Sequence, residues 1–219
     1  SWSKRLSERS FLAVNGTLLT ANLAIKNGIG CHLGGGTHHS HFDYGAGFCV
    51  FNDLAYAALM LINNKIVKKI LIFDCDVHQG DGTARILEKN DNIFTCSIHC
   101  KKNFPLNKAQ SNLDIELEDH TNNTEYLNEI QKTIKFCVNS FKPDFVLYDA
   151  GIDIHKDDEL GKLNIDDDGC LERDILVLNF LKKLSIPVAT VIGGGYSKNK
   201  EELALRHSFV FNAANQVFG

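Results

Sequence analysis

Apolar positions recur along the chain with two different periods. A helix is predicted near 11–26, with an apolar face formed by Leu18, Leu19, Leu23 and Ala24. The same helical spacing predicts further helices over 52–63, 125–141, 171–184 and 200–217. Strands are predicted at 29–33, 70–73, 93–98, 145–148 and 187–192. The short apolar runs 70–73 and 145–148 are typical of strands that are buried on both faces.

Strands that alternate with helices predict an α/β fold. We expect one domain over residues 1–219, with three layers and a largely parallel central sheet flanked by helices. No internal repeat and no linker rich in Pro, Gly or Ser divides the chain. The chain opens with Ser1-Trp2-Ser3, and its one methionine is Met60, so an N-terminal segment is expected to be missing.

Charge and cysteine content narrow the possible partners. The net charge is −4 and the basic residues are scattered, which argues against direct nucleic-acid binding. No apolar run approaches the roughly 18–20 residues of a membrane span, and no signal peptide opens the chain. The 7 cysteines form no C-x-x-C pattern. Reduced thiols in the cytoplasm or nucleus are therefore expected, and a zinc pair at Cys96 and Cys100 is disfavoured.

The first chemical signal follows the apolar run 70–73. Asp74, Asp76 and His78 come at alternate positions, so that in an extended segment their side chains point to one side. In open α/β sheets, ligands bind at the carboxyl ends of the strands. Two carboxylates and an imidazole in one place need a cation or hydrogen-bond partners, so this segment predicts a metal site.

A second strand repeats this arrangement, because the run 145–148 is followed by Asp149 and Asp153. A ligand from this neighbouring strand end would complete a set of two carboxylates and one histidine, which leaves a coordination position open for water. Each acid taken alone could equally be a helix cap or a turn residue. The three acids at 166–168 are interpreted in that way, as capping residues of the following helix.

Adjacent histidines follow the glycine-rich segment 34–36. His38 and His39 could be simple exposed loop residues, but Asp74 and Asp81 provide one carboxylate for each of them. A carboxylate fixes the tautomer of a histidine and raises its basicity. Such a histidine can take a proton from water and later give it to a leaving amine.

Glycines and aromatic residues in other loops allow two interpretations each. The segment 193–195 permits a tight bend before Tyr196, whose hydroxyl either packs or donates a hydrogen bond to an oxyanion. Phe48 and Phe104 lie in loops and are interpreted as core residues on sequence alone. If they stand either side of a metal, they form an apolar slot for a linear chain.

Taken together, these segments resemble the zinc-dependent histone deacetylase family. The matching pieces, in order, are Gly36-Thr37-His38-His39, Gly47-Phe48-Cys49, Asp74–Gly82, Ser97-Ile98-His99, Ala150–Asp153 and Gly193–Tyr196. The resemblance covers almost the whole chain. Gln79 and the stretch 153–161 look most like the class IV branch and its bacterial relatives. Family members usually carry an additional N-terminal stretch that lines the mouth of the substrate tunnel.

The resemblance implies an arginase/deacetylase-like fold and a role for each matching residue. Zinc would be held by Asp76, His78 and Asp153. His39 would act as the general base and then the acid, with Asp81 behind it.

The resemblance also implies that His38, paired with Asp74, assists electrostatically. It implies that Tyr196 stabilises the oxyanion. Phe48 and Phe104 would wall the acyl-lysine tunnel, and the Gly47 carbonyl would hold the substrate amide N–H. A structural potassium ion is implied at Asp74, Asp76, His78, Ser97 and Ile98.

The implied substrate is acyl-lysine in a protein or peptide, but polyamines and small acetylated metabolites stay open, as does the oligomeric state. Two other hypotheses compete. A ureohydrolase-like enzyme would use two manganese ions, although its acids follow the order D-x-H-x-D, whereas this chain has D-x-D-x-H. A catalytically silent acyl-lysine-binding module would be expected to lose Tyr196 or a histidine, and both are present.

Overall fold

The computed structural model describes residues 3–219, which form an α/β domain. The strands are β1 Ile29–Cys31, β2 Ile70–Asp74, β3 Ile93–Cys100, β4 Leu113–Leu117, β5 Phe145–Asp149 and β6 Val188–Val191. The helices are α1 Lys4–Asn27, α2 Asp53–Asn63, α3 Asp81–Leu87, α4 Asn123–Phe141, α5 Asp167–Lys183, α6 Lys200–His207 and α7 Phe209–Phe218.

The six strands form one sheet in the order β1-β6-β5-β2-β3-β4, and every pairing is parallel. Parallel strands need crossover connections, and the helices supply most of them. The central strand β2 pairs with β3 and β5, so that Asp74 lies opposite both Ser97 and Asp149. The expected fold class is therefore confirmed.

Helices cover both faces of the sheet and make three layers. Along β2, Leu71 and Phe73 join the core on the side of α4, α5 and α7. Ile70 and Ile72 point the other way, into the core against α1 and α2. All five residues of β2 are buried, as the continuous apolar run predicts for a central strand.

The predicted apolar face of α1 is confirmed at Ala24, which is buried, and at Leu18, which packs against the core, but it is wrong at Leu19 and Leu23. Leu19 and Leu23 are 61% and 47% exposed, and the buried side of α1 consists mainly of small residues such as Ala21. The reason is close packing on β1. A Cβ on Gly30 would lie 2.6 Å from the Thr20 carbonyl oxygen, so the helix backbone approaches the strand too closely for leucines to fit between them.

Several element boundaries also differ from the predictions. Helix α3 and strand β4 were not predicted, and the closing helix is interrupted at Ser208. The Ser208 hydroxyl donates to the Leu205 carbonyl at 2.6 Å, which competes with regular helical pairing. The capping interpretation of Asp166 is confirmed, because its side chain accepts from the Gly169 N–H at 2.9 Å.

All 7 cysteines are free thiols. Within residues 3–219, no helix combines the length and the apolar character that crossing a membrane requires.

The layered core makes a stability prediction. Leu61 on α2 is fully buried, whereas Leu12 on α1 is 73% exposed. We expect Leu61→Ala to lower the free energy of unfolding by about 2–5 kcal/mol, because it removes methyl groups and leaves a cavity. Leu12→Ala should change it by less than about 0.5 kcal/mol. Chemical denaturation of both variants measures the difference, and equal effects would contradict the assigned layers.

Candidate functional site

The carboxyl ends of the parallel strands lie along one edge of the sheet, and the loops that follow them meet there. The contributing loops are 32–52 after β1, 75–80 after β2, 101–112 after β3, 150–166 after β5 and 192–199 after β6. The residues singled out in the sequence for chemistry lie in or beside these loops, except Ser97 and Ile98, which lie within β3. Ligand sites of open α/β sheets form at this edge.

Asp76, His78 and Asp153 converge at this edge. Nδ1 of His78 lies 3.0 Å from Oδ1 of Asp76 and 3.1 Å from Oδ2 of Asp153. All three side chains are buried, and one ligand atom of each lies within 4.8 Å of the others. The two strand ends therefore bring together the three side chains that the sequence nominated as metal ligands.

Backbone groups from neighbouring loops orient these carboxylates. The Val77 N–H donates to Oδ1 of Asp153 at 2.9 Å, which links the β2 loop to the β5 loop. The Gly194 N–H donates to Oδ2 of Asp76 at 2.7 Å, which adds the β6 loop. Position 194 requires glycine, since a Cβ there would overlap Oδ2 of Asp153.

Electrostatics favour a cation at this point. Burial and the neighbouring Asp76 carboxylate raise the pKa of Asp153 to about 7. Burial opposes charge on His78, but its hydrogen bonds to Asp153 and Asp76 raise its pKa to about 10. Burial also works against ionised Asp76, yet the His38 and His78 imidazoles hold its pKa well below its usual range. Two carboxylates and one imidazole suit zinc in number and in donor type.

His38 and His39 each pair with a buried carboxylate. Nδ1 of His38 lies 2.7 Å from Oδ2 of Asp74, and Nδ1 of His39 lies 2.7 Å from Oδ1 of Asp81. Their Nε2 atoms face each other at 3.2 Å. Each imidazole thus has one nitrogen anchored to an acid, which leaves Nε2 as the atom directed toward the other ring.

The two rings differ in their affinity for a proton. Burial opposes charge on His38, but the Asp74 carboxylate outweighs it and raises the pKa well above the ordinary value. Burial and the charge of His38 lower the pKa of His39 to about 4. The physical reason for the difference is that two imidazolium rings in contact repel each other, so one of the pair is held neutral.

His38, Asp74 and Asp149 form a second buried group of possible ligands. Burial and the adjacent Asp74 carboxylate raise the pKa of Asp149 well above its usual range. The His38–Asp74 contact already uses one oxygen of Asp74. This group therefore resembles a hydrogen-bonded support for the histidine pair more than a second metal centre.

Aromatic side chains surround the three converging residues. The Tyr196 ring meets the His78 ring edge-on, with 6.4 Å between the ring centroids. Burial raises the pKa of the Tyr196 phenol, so the hydroxyl stays protonated at neutral pH. Phe104 meets His39 edge-on at 4.8 Å, and Phe48 lies 6.0 Å from Tyr196.

Phe48 and Phe104 are 84% and 45% exposed, so their interpretation as core residues is wrong. Phe48 also has a φ of +65°, which is rare for a bulky residue and indicates that its loop is held in place by its surroundings.

A cleft of about 130 Å³ opens between these groups. Its walls include Gly36, His38, His39, Gly47, Phe48, Asp76, His78 and Tyr196. A larger apolar cleft of about 630 Å³ lies between α1, α2 and the loop 40–45. Among residues 3–219, neither group of possible metal ligands lines this larger cleft, so chemistry and not volume identifies the candidate site.

The structure adds supporting residues that the sequence analysis missed. Asn103 lies 3.4 Å from Nε2 of His78 and donates to the Leu160 carbonyl at 2.8 Å. Asp53 accepts from the Gly36 N–H at 3.1 Å and the Thr37 N–H at 2.7 Å, which holds the histidine loop on α2. In sequence, Asp53 is indistinguishable from an ordinary acid in the first turn of a helix.

Comparison with known proteins identifies the family. The profile of the histone deacetylase domain matches residues 1–210. The chain belongs to the histone deacetylase family.

Three known proteins are similar in sequence over most of the chain. An uncharacterized protein of Picosynechococcus is 44% identical over 217 residues, which cover 99% of this chain and 72% of that protein. Histone deacetylase 2 of Arabidopsis thaliana is 32% identical over 85% of this chain and 49% of its own length. Acetoin utilization protein AcuC of Staphylococcus aureus is 34% identical over 74% of this chain and 45% of its own length. The chain thus spans about half the length of the latter two relatives.

Solved structures show the same fold. An acetylpolyamine aminohydrolase from Burkholderia pseudomallei superposes with a TM-score of 0.80 at 18% identity, covering 95% of this chain and 63% of that one. The HD domain of HDA15 superposes with a TM-score of 0.78 at 22% identity, and the match again covers 95% of this chain and 63% of that one. Both structures therefore share the fold of this chain.

The converging ligands make a metal-binding prediction. Replacing Asp76 with Asn removes one negative ligand, and we expect zinc affinity to fall more than about 100-fold, beyond the loss seen when only a supporting residue is changed. Asp91→Asn, at an exposed carboxylate, serves as the control. Competition against a chromophoric chelator measures the affinity. Retention of zinc at wild-type strength by the Asp76 variant would contradict the ligand set.

Proposed function

We propose that this chain is the catalytic domain of a zinc-dependent deacylase, which hydrolyses the amide of acetyl or longer acyl groups on lysine side chains of proteins. One observation carries the proposal. Asp76, His78 and Asp153 converge on one point beside two histidine–carboxylate pairs and a phenol. Metal ligands, a base and an oxyanion donor are the groups that amide hydrolysis needs.

Asp76, His78 and Asp153 would hold the zinc ion. Zinc bound there supplies Lewis-acid polarisation of the acyl carbonyl and lowers the pKa of water toward about 7. The protein contributes a rigid, negatively charged and buried cradle, in which the Val77 and Gly194 N–H groups fix the carboxylates.

His39 takes the proton from the attacking water in this proposal. Its Nδ1 is anchored on Asp81, which leaves Nε2, 3.2 Å from Nε2 of His38, as the nitrogen that accepts the proton. His38, paired with Asp74, lies next to it and assists electrostatically, since the Asp74 carboxylate offsets positive charge on the imidazole pair. The protonated imidazole then returns the proton to the lysine amine as the amide bond breaks, which keeps the proton count balanced.

Tyr196 donates its phenolic hydrogen to the oxyanion, and its raised pKa supports the protonated form that this role requires. Phe48, which lines the cleft, and Phe104, which packs edge-on against His39, are both exposed and would border the entrance for the aliphatic lysine stem. The Gly47 carbonyl accepts the substrate amide N–H. Gly47 has a φ of +50°, and a Cβ there would overlap the His39 ring, so a larger residue would displace the base.

A structural potassium ion at Asp74, Asp76, His78, Ser97 and Ile98 remains a prediction, supported by the register that sets Asp74 opposite Ser97. Assignment to the class IV branch and a cytoplasmic or nuclear location also stay predictions.

The acid–base roles predict a separation between turnover and metal binding. His39→Ala should lower kcat on an acetyl-lysine peptide by about 10²–10⁴-fold, since the general base is lost. Tyr196→Phe should lower it by about 10²–10³-fold, since one oxyanion donor is lost. Tyr56→Phe, at a tyrosine that lines the larger apolar cleft and not the candidate site, is the matched control. Zinc content should be unchanged in all three. Normal turnover by either site variant would reject its role.

The substrate class is tested by a panel of lysine peptides with acetyl, octanoyl and myristoyl groups, together with acetylated polyamines. We expect peptide hydrolysis that a hydroxamate chelator abolishes, with one zinc per chain. Preference for polyamines would replace the protein-lysine substrate with a small amine. Two manganese ions per chain would favour the ureohydrolase hypothesis. Binding of acyl-lysine without turnover would favour the silent module.

A further inference from the structure

Arg173 is a fully buried arginine in α5, directly behind the loops that carry the metal ligands. Its exposed fraction is 0%, and its Nε donates to Oδ1 of Asp174 at 2.9 Å. A guanidinium stays charged in proteins, so its burial is costly unless every donor finds a partner. The question is therefore where the remaining N–H groups are directed.

The remaining N–H groups of Arg173 point at the loops that carry Asp76 and Asp153. Nη1 of Arg173 donates to the Gly151 carbonyl at 2.6 Å, and Nη2 donates to the Ala150 carbonyl at 3.0 Å. Nη1 also faces the Cys75 carbonyl at 3.5 Å. Gly151 lies two residues before Asp153, and Cys75 directly precedes Asp76. One planar group thus contacts both ligand-bearing loops just after their strands leave the sheet.

Neighbouring residues hold the guanidinium in this orientation. The Tyr148 hydroxyl donates to Oδ1 of Asp174 at 2.5 Å, and the Tyr148 ring lies 5.9 Å below the guanidinium carbon. Both residues are fully buried. Since Tyr148 belongs to β5, the strand that leads into the Asp153 loop, the arginine is tied to the sheet as well as to the loops.

We propose that Arg173 is a positioning residue that sets the separation between Asp76 and Asp153 by fastening the β2 and β5 loops to α5. It contacts neither substrate nor metal, so it acts through the backbone carbonyls. A lysine cannot substitute, because a single ammonium group lacks the planar fork that reaches several carbonyls at once. This role rests on the proposed function, in which these two aspartates hold zinc.

The alternative is that Arg173 contributes only to overall stability. The two roles differ in zinc affinity, measured on folded protein. We expect Arg173→Lys to weaken zinc binding by about 10–100-fold, the loss typical for residues that orient metal ligands. Arg173→Met combined with Asp174→Asn should do the same. That double variant removes the buried charge pair, and its Asn oxygen can still accept from the Tyr148 hydroxyl.

Leu61→Ala is the control for stability, because Leu61 lies in the core on the opposite face of the sheet. It should destabilise the protein while leaving zinc affinity unchanged. Zinc binding by both Arg173 variants within about twofold of the wild type would overturn the proposal.

A second measurement needs no metal. The Val77 N–H bridges the two loops by donating to Asp153, whereas Leu147 lies at the centre of β5. Hydrogen-exchange rates are compared between the metal-free wild type and metal-free Arg173→Lys. The fold-increase in rate at the Val77 amide should be about ten times the fold-increase at the Leu147 amide. Equal acceleration at both amides would indicate a purely structural residue. If wild-type protein binds no zinc, the proposed function fails, and this exchange ratio still decides whether Arg173 fastens the loops.

Discussion

The arrangement depends on one electrostatic constraint, the burial of several carboxylates and imidazoles at a single sheet edge. Asp76 and Asp153 lie almost fully out of water and within reach of each other. Like charges in a medium of low dielectric repel strongly, so such a cluster persists only if imidazoles, backbone N–H groups or a cation compensate it. His78 and the Val77 and Gly194 N–H groups supply part of that compensation. A divalent cation would supply the rest.

This constraint explains features that otherwise look unrelated. Glycine is required at position 194 because the backbone itself must approach the carboxylates. Asp53 holds the histidine loop, and Asn103 lies against the outer nitrogen of His78. Arg173, buried behind the loops, donates hydrogen bonds to backbone carbonyls on the far side of the ligands. The site is thus supported from beneath by α5 and from the sides by three strand loops.

Membership of the histone deacetylase family and the likeness to solved structures agree on the fold. The closely similar solved structures differ from this chain at about four positions in five, yet retain the same sheet and helical layers. Fold and site are therefore separable: the sheet needs apolar strands of suitable length, whereas the chemistry needs particular side chains in the few residues after each strand.

The sequence by itself determined the fold class and the nominated ligands, because continuous apolar runs ending in acids and histidines are local patterns. Parallel strands carry such endings to one edge whatever the details of packing. Tertiary structure alone decided the rest. The buried side of α1 depends on how closely Gly30 lets it approach β1, and the exposure of Phe48 depends on its surrounding loop. The contacts of Arg173 span 98 positions to Cys75 and 22 to Gly151, so no local pattern could reveal them.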